Sequence, residues 1–401
     1  MKTFCLLFFL FFTLVAPAQK VIKGVVLDGD KRQPLPGASV FLNNTSIGTT
    51  ANAQGNFELT IPKGKFDLII SSIGFETFNQ TINSEEIDKA LTILLKPKAK
   101  ELDNVVIEPY EKDGWAKWGD FFTQLFIGTS GLAPDCIIKN ASEIRFRNVK
   151  KTNELIVSAN EPIIIENKAL GYTLRYQLEG FTYQFKTRYI FYYGYPFFEE
   201  MDGNAARKKR WQTKREEVYF GSMLHFMRAV YRNTIIEEGF QVRHLQKVDN
   251  EEKQRVKRIY SAINKQHNPT SPIVLRNSDS ANYYSQILKG PDQFDIIGKT
   301  VLPGDSIAGA LDSVTAALDF PNYLLVIYTR KLVPPKYRLQ YPDAGSAMAS
   351  QMTLLNNNSL AIQANGSYYN PTDLLHFGYW GWAEKMATML PFDYQPPRGK
   401  K

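Results

Sequence analysis

The four histidines are the side chains best suited to hold a catalytic metal ion, and their spacing argues against such a site. Zinc hydrolases hold the metal with two or three nitrogen or carboxylate ligands at short spacing, and a further carboxylate accepts a proton. The histidines are His225, His244, His267 and His376, and none has a glutamate or a second histidine at the usual helical spacing. The sequence therefore predicts no metal site and no cofactor.

Nucleophilic and carboxylate catalysis are also poorly supported. Serine hydrolases usually carry Gly-x-Ser-x-Gly at a strand-to-helix turn, and in the segment 128–131 the second glycine comes one residue early. Cys136 is expected to be a buried, inert thiol. The adjacent pairs Glu199–Glu200 and Glu237–Glu238 would point to opposite faces of a strand, so they do not give the ~5 to 9 Å carboxyl separation of glycosidases. We expect no catalytic residue among them.

A run of tyrosine and phenylalanine between residues 183 and 198 is the strongest anomaly of the composition. Strand alternation places two sets of these residues on opposite faces. The first set is Tyr189, Phe191, Tyr193 and Tyr195, and the second is Ile190 and Tyr192. Because both faces carry aromatic residues, we expect a sheet that is covered on both sides. An open face would instead offer the first set, our candidate ligand-binding residues, to sugar rings or to a partner.

A basic segment opens the helix that we predict near residues 205–232. It contains Arg207, Lys208, Lys209 and Arg210, followed by Lys214 and Arg215. Cations near a helix start oppose the helix dipole, so the segment is either a solvated face or a contact for phosphate or an acidic glycan. Arg207 and Arg210 are therefore added to the candidate ligand-binding residues. The wide apolar face of the later half indicates core, and His225 is expected to pack there.

The first eighteen residues have the features of a secretory signal peptide. Lys2 supplies the positive start, an apolar run follows from Cys5 to Val15, and residues 16–18 form a small-residue cleavage site. We expect cleavage after residue 18 and export to the periplasm, the outer membrane or the cell surface. No later stretch reaches ~18 consecutive apolar residues. The mature chain is thus expected to lack a transmembrane helix, which leaves peripheral association with the outer membrane open.

The charge of the mature chain limits the classes of partner that it can bind, and its cysteine content limits its disulfides. It would carry 47 basic and 40 acidic residues, a net charge of +7. A mild excess of this sign favours acidic glycans and anionic lipid heads, and an exported protein rarely meets nucleic acid. Only Cys136 would remain after cleavage, so no internal disulfide is expected. The length indicates two to three domains.

Residues 20–96 are expected to form about seven short strands separated by turns, which predicts a sandwich of two antiparallel sheets. An ordered set of motifs runs through this segment. The motifs are Gly24-Val25-Val26, Pro34 to Val40, Gly48-Thr49-Thr50, Gly55-Asn56-Phe57, Ile61-Pro62 and Ser72-Ile73-Gly74-Phe75. This string resembles the carboxypeptidase regulatory-like domain.

The resemblance implies an immunoglobulin-like or transthyretin-like sandwich over residues 19–97. Such domains commonly begin outer-membrane and surface proteins, including polysaccharide-uptake receptors. Many relatives carry Asp where this chain has Asn52, although Asn can make the same local turn. Nothing in the chain resembles the peptidase for which the family is named. Fewer than 300 residues follow the linker that comes after this domain, so we do not expect an uptake receptor with its barrel.

The rest of the chain predicts a linker over residues 98–112 and an α+β domain with a largely antiparallel sheet over 113–401. The domain would open with a helix after Asp113 whose apolar face includes Trp115 and Trp118. Further helices are expected near residues 205–232, 249–265 and 382–390. The overall prediction is a multi-domain protein.

A scaffold-type domain joined to a region without catalytic signals favours a non-enzymatic protein of the cell envelope. The sandwich would act as a docking or scaffold module. The second region would bind a glycan, a lipid head or an envelope protein, and no nucleic acid. The alternative is a hydrolase of an unfamiliar class that acts on envelope or external polysaccharide.

Overall fold

The structure is a computed structural model that describes residues 20–87, 89–98, 109–266, 279–356 and 358–397. The predicted signal peptide, most of the predicted linker and His267 lie outside these ranges. The described residues form two compact units. Unit 1 comprises those of Met1–Asp120, Cys136–Asn204 and Asp393–Gln395, and unit 2 those of Phe121–Asp135, Ala205–Phe392 and Pro396–Lys401. The domain limits drawn from the sequence stay a prediction.

The first part of unit 1 is a sandwich of two small sheets. Its strands are β1 (Lys20–Asp28), β2 (Ser39–Leu42), β3 (Gly48–Thr50), β4 (Asn56–Ile61), β5 (Lys65–Ser71), β6 (Phe78–Asn83) and β7 (Leu91–Leu95). One sheet has the order β4-β1-β7 and the other β3-β2-β5-β6. Strand β4 shows why the sheets pair, because Phe57, Leu59 and Ile61 are buried while the residues between them are exposed. The predicted sandwich is confirmed, but its first sheet is mixed and not antiparallel, because β1 pairs with β7 in parallel.

The turn before β4 shows how the chain makes this fold without the aspartate common in relatives. Asn52 Oδ1 accepts hydrogen bonds from the backbone N–H groups of Gln54 and Asn56, both at 3.0 Å. Gly55 has a φ of +76°, which only glycine adopts at little cost. The amide oxygen of Asn52 therefore serves the turn as the sequence predicts.

The second part of unit 1 is a six-stranded antiparallel sheet. Its strands are β8 (Cys136–Ile138), β9 (Ile144–Val149), β10 (Glu154–Ala159), β11 (Ile163–Asn167), β12 (Tyr172–Gln184) and β13 (Tyr189–Glu200). Strand β13 pairs with β12 along its whole length, and β12 also pairs with β11 near one end and β10 near the other. Helix α1 (Gly114–Phe126) precedes the sheet. Within unit 1, its Trp118 ring lies 5.8 Å from that of Phe185, between centroids.

Unit 2 contains two further antiparallel sheets and six helices among the described residues. Its helices are α2 (Ala205–Tyr219), α3 (Met223–Tyr231), α4 (Glu251–Gln266), α5 (Asp279–Lys289), α6 (Pro335–Gln340) and α7 (Tyr379–Ala383). Its strands are β14 (Phe240–Asp249), β15 (Gln293–Ile297), β16 (Ala308–Ala310), β17 (Thr315–Leu318), β18 (Tyr323–Leu332), β19 (Ala347–Leu354), β20 (Leu360–Gln363), β21 (Tyr368–Tyr369) and β22 (Leu374–Gly378). The sheets have the orders β15-β14-β18-β19-β22 and β16-β17-β20-β21. The α+β prediction with antiparallel sheets is confirmed.

Three local predictions were wrong. The single helix expected near 205–232 is two helices, because Gly221 has a φ of +90° and Ser222 caps α3 by accepting a hydrogen bond from the His225 N–H. The last helix is α7, which ends at Ala383. Trp115, which was placed on the apolar face of its helix, is 36% exposed.

No helix among the described residues is long and apolar enough to span a membrane. Those same residues also contain no group of three or more His, Cys, Asp or Glu side chains placed to hold a metal ion.

Candidate functional site

The exposed face of β13 carries a row of three aromatic rings. The exposed fractions of Tyr189, Phe191 and Tyr193 are 52%, 47% and 44%. The ring centroids of Phe191 and Tyr193 are 5.6 Å apart, with planes tilted by 44°. We call Tyr189, Phe191 and Tyr193 the aromatic row. The sheet expected to be covered on both sides is open on this side, so that prediction was wrong, whereas the alternation that groups these residues is confirmed.

The opposite face of the β12–β13 hairpin is closed by its own aromatic packing. Phe181 on β12 is buried and stacks on Tyr192 of β13 at 5.9 Å between centroids. This packing anchors β13 from the face opposite to the aromatic row. Because side chains alternate along a strand, the residues of the aromatic row lie on the opposite face from Tyr192 and point outward.

A glycine beneath the row sets the position of its last ring. Gly180 on β12 pairs with Tyr193, and a Cβ at Gly180 would lie 2.5 Å from Tyr193 Cε1. The tyrosine ring therefore covers the bare glycine backbone. The register of the hairpin is shifted between Leu178 and Gly180, so Glu179 is the extra residue of a β-bulge. Bulges re-aim side chains next to binding sites.

The sandwich extends the row at the bulged end. Tyr195, the fourth candidate residue, is half-buried, and its hydroxyl accepts a hydrogen bond of 3.2 Å from Asn79 Nδ2 of β6. Burial raises the pKa of Tyr195, so the hydroxyl stays protonated and can donate to a ligand. Thr77 Oγ1 donates to Glu179 Oε1 at 2.6 Å. Polar groups therefore border the rings, as in sites that bind rings and hydroxyls together.

The sandwich also pairs with the edge of β13 through its backbone. The Asn44 N–H donates to the Pro196 carbonyl at 2.8 Å, and the Phe198 N–H donates to the Thr45 carbonyl at 3.0 Å. The ring of Phe41 lies 5.2 Å from that of Phe197, between centroids. These contacts fix the base of the strand that carries the row.

Comparison with known proteins identifies this sandwich. A family model, the CarboxypepD_reg-like domain, matches residues 22–107. These residues form a CarboxypepD_reg-like domain. The resemblance seen in the motifs is thereby confirmed, and the contacts with β13 are contacts of this domain.

The relatives of the CarboxypepD_reg-like domain are receptors. The chain is 32% identical over 93 residues to a TonB-dependent receptor of Formosa agariphila. It is 29% identical over 102 residues to the TonB-dependent receptor SusC of Bacteroides thetaiotaomicron. The two matches cover 23% and 25% of this chain but 9% and 10% of the receptors. The chain therefore spans about a tenth of the length of these relatives.

A solved structure of a protein of unknown function from Bacteroides fragilis also aligns with this chain. The alignment covers 90% of this chain and 94% of the other, at 9% identity and a TM-score of 0.17. A score this low does not indicate a shared fold.

The structure does not bring all six candidate residues together within one unit. The four residues of β13 lie in unit 1, beside the CarboxypepD_reg-like domain, whereas Arg207 and Arg210 lie in α2 of unit 2. Both arginines are exposed, and of the basic residues that follow them, Lys214 forms an ion pair of 2.6 Å with Glu217. Exposure fits both a solvated basic face and a contact for an anionic ligand, so ligand binding by the two arginines stays a prediction.

Two of the four carboxylates considered for glycoside cleavage, those of Glu199 and Glu238, have other partners. Glu199 forms an exposed ion pair of 3.0 Å with Arg175. Glu238 accepts hydrogen bonds from His225, Arg232 and Thr234, each at 2.7 Å. Burial alone would raise the pKa of Glu238, but these bonds outweigh it and lower the pKa to about 2.

His225 is a packed core histidine, as the sequence predicts. Its Nδ1 accepts a hydrogen bond of 3.1 Å from the Gly221 N–H, and its Nε2 lies 2.7 Å from Glu238 Oε2. Since Nδ1 accepts, Nε2 must carry the hydrogen in the neutral ring. Burial lowers the pKa of His225, in opposition to the carboxylate.

Unit 2 also contains a shallow cavity of about 630 Å³ that could hold a small molecule. Residues 319–323 and 353–354 line it, and its single carboxylate is that of Asp319. A single carboxylate in the lining gives no carboxyl pair for catalysis. The aromatic row therefore remains the better candidate site.

Sequence reasoning missed the residues that support the row. Asn79 and Thr77 lie about a hundred positions from β13, so no local pattern connects them with it. Gly180 does carry a signal, because a glycine inside a strand pattern indicates a bulge or a close approach. A bulge expected at that glycine would have pointed to Tyr193.

Proposed function

We propose that the protein is a non-enzymatic protein of the cell envelope that binds a glycan along the aromatic row. The observation that carries this proposal is the exposure of Tyr189, Phe191 and Tyr193 on one face of a strand whose other face is packed. Contiguous exposed apolar side chains on a folded surface mark sites that bind ligands or partners. Flat rings bordered by hydroxyl and amide groups suit sugar rings better than a purely apolar ligand.

The CarboxypepD_reg-like domain acts in this proposal as the scaffold of the binding sheet. It pairs with β13 through its backbone and contributes Asn79 beside Tyr195. The relatives that share the domain are TonB-dependent receptors, and this supports an envelope location. Export through the predicted signal peptide is part of the proposal, and amino-terminal sequencing of the exported protein should give Gln19.

Binding of the purified chain to a panel of immobilised polysaccharides and to phospholipid vesicles tests the proposal. The variant Phe191→Ala/Tyr193→Ala should lose most of the glycan signal, at least about 5-fold in affinity, since each ring contributes roughly 0.5–1.5 kcal/mol. Ile73→Ala is the control, because Ile73 is a 68% exposed apolar residue of the same unit that is not in the row.

Two outcomes would overturn the proposal. One is retention of full glycan affinity by the double variant. The other is binding to vesicles or to an envelope protein through the row, with no polysaccharide bound. Turnover of a bound polysaccharide would favour the hydrolase alternative instead.

A further inference from the structure

The aromatic row ends at a cluster of cations. The turn between β9 and β10 contains Lys150 and Lys151, and the turn between β12 and β13 contains Lys186 and Arg188. All four residues are exposed. Tyr189, the first ring of the row, follows Arg188 directly. We call these four residues the cationic tip.

The two turns of the cationic tip are joined by hydrogen bonds. The Phe185 N–H donates to the Asn153 carbonyl at 3.1 Å, and Gln184 Nε2 donates to the Thr152 carbonyl at 3.1 Å. The four charges are therefore held on two turns that meet, although like charges repel one another. Such a grouping raises the local concentration of anions.

The carboxylate of Glu154 connects the two turns of the cationic tip. Glu154 accepts hydrogen bonds from Thr152 Oγ1 at 2.7 Å and from Gln184 Nε2 at 3.1 Å. Its oxygens thus hold the turn and the end of β12. The two turns and Glu154 together contain four basic residues and one acidic residue, so their formal charge is positive.

The other end of the row carries the opposite charge. Glu179 lies in the bulge next to Gly180. Asp67 of the CarboxypepD_reg-like domain accepts a hydrogen bond of 2.8 Å from Thr81, which lies two positions along β6 from the Asn79 that bonds Tyr195. A ligand that lies along the row therefore meets cations beyond Tyr189 and carboxylates beyond Tyr193. A chain with a phosphate on every unit, such as single-stranded nucleic acid, would be repelled at the second end.

We propose that the row binds an anionic glycan, with a carboxylate or sulfate group of the sugar at the cationic tip and uncharged hydroxyl groups at the Glu179 end. This inference rests on the proposed glycan binding and adds the charge and the direction of the ligand. The rings would hold the sugar faces, and the tip would select those that carry a negative group.

The test compares oligosaccharides that differ in charge alone. The probes are an oligogalacturonate, its carboxyl-reduced neutral form, a sulfated oligosaccharide and single-stranded oligothymidylate. We expect the wild-type chain to bind the oligogalacturonate or the sulfated probe at least about 10-fold more tightly than the neutral form at low salt. The difference should shrink at 0.5 M salt, where screening is strong. The two anionic probes distinguish a carboxylate from a sulfate as the bound group.

The variant Lys186→Gln/Arg188→Asn removes two charges of the tip without altering the rings. Asn suits position 188 because Arg188 has a φ of +59°, which Asn tolerates. A matched control exists in the turn after β1, where Lys31→Gln/Arg32→Asn removes an exposed Lys and an exposed Arg whose φ is +58°. The tip variant should lose about 10-fold in affinity for the anionic probe and less than about 2-fold for the neutral one. The control should lose neither.

The outcomes separate the two proposals. If the neutral and anionic probes bind the wild-type chain equally, or if the tip variant equals the control, the charge inference is wrong while the glycan site stands. If no oligosaccharide binds, the proposed function itself fails. Tightest binding to oligothymidylate would overturn both.

Discussion

Glu384 is a partly buried carboxyl of unit 2 whose ionisation should cost stability. It lies just after α7, and its Oε1 accepts a hydrogen bond of 2.9 Å from the Met223 N–H at the start of α3. Burial raises the pKa of Glu384 to about 7, against the smaller opposite effects of that hydrogen bond and of Lys385. The substitution Glu384→Gln keeps an oxygen for the Met223 N–H and removes the charge.

The size and sign of the effect follow from the two pKa values. In the unfolded chain the pKa is near 4.5, so the folded protein binds more protons between pH 4.5 and 7. The stabilising contribution of the protonated carboxyl is complete below pH 4.5 and is lost as the pH rises through 7. The difference corresponds to at most about 3 kcal/mol, and solvent access to the side chain reduces it to about 2 kcal/mol. Glu384→Gln should therefore raise the free energy of unfolding by about 2 kcal/mol at pH 8 and leave it unchanged at pH 4.

His376 also changes the stability of the protein with pH, so the effect of Glu384 must be measured as the difference between Glu384→Gln and wild type. Burial lowers the pKa of His376 to about 4 from an ordinary value of 6.5. Its contribution to stability is present above pH 6.5 and is lost as the pH falls towards 4. The two groups thus have opposite slopes between pH 4.5 and 6.5, and the wild-type profile should be flattened there. The difference between wild type and Glu384→Gln isolates the carboxyl.

Urea unfolding at half-unit steps from pH 4 to pH 8 measures this difference. Glu237→Gln is the control, because Glu237 is an exposed carboxyl of the same unit, and it should shift the free energy of unfolding by less than about 0.5 kcal/mol. A difference between Glu384→Gln and wild type that does not change with pH, or that grows towards low pH, would refute the reasoning.

Three further substitutions test other contacts. Gly180→Ala should weaken glycan binding about 2- to 10-fold by displacing the Tyr193 ring. The free energy of unfolding, measured in urea, should change by less than about 1 kcal/mol. An affinity equal to that of the wild type would contradict the role of that ring. Glu238→Gln removes a carboxylate whose pKa is about 2. Urea unfolding should show that the free energy of unfolding is about 2 kcal/mol lower than in the wild type at pH 7, and that this difference disappears near pH 2. Gly221 has a φ of +90°, and a Cβ there would lie 2.8 Å from the nearest side chains. Gly221→Ala should therefore lower the free energy of unfolding by about 2 kcal/mol, and the thermal midpoint should fall accordingly. Gly309→Ala, which meets open space, should leave that midpoint nearly unchanged.

The sandwich was predictable because short stretches of sequence determine its strands and turns. Alternation in β4 and turn residues such as Gly55 specify strands and turns within a few positions. The same alternation correctly grouped Phe191 with Tyr193 on one face. Whether that face is open depends on which other elements lie over it, and no pattern in residues 183–198 contains that information.

The helix break at Gly221 was missed because the apolar pattern continues across it. Met223, Phe226 and Val230 are buried, as one long helix would also require. The interruption depends on one backbone conformation, and the serine that follows it caps the new helix. Ser222 after a glycine was the available signal, since serine is favoured at helix starts.

The hairpin that carries the aromatic row is held by hydrogen bonds at both ends, and this should increase its affinity for a ligand. At its base, the Asn44 N–H and the Thr45 carbonyl of the CarboxypepD_reg-like domain pair with β13, and at its tip Phe185 bonds to the neighbouring turn. A ligand that meets rings already fixed in place has less conformational entropy to remove than one that must order a free hairpin. The domain therefore contributes to affinity without touching most of the ligand. A substitution that loosens the base, such as Gly48→Ala, whose Cβ would lie 2.6 Å from the Phe197 ring, should weaken binding although residue 48 is outside the row.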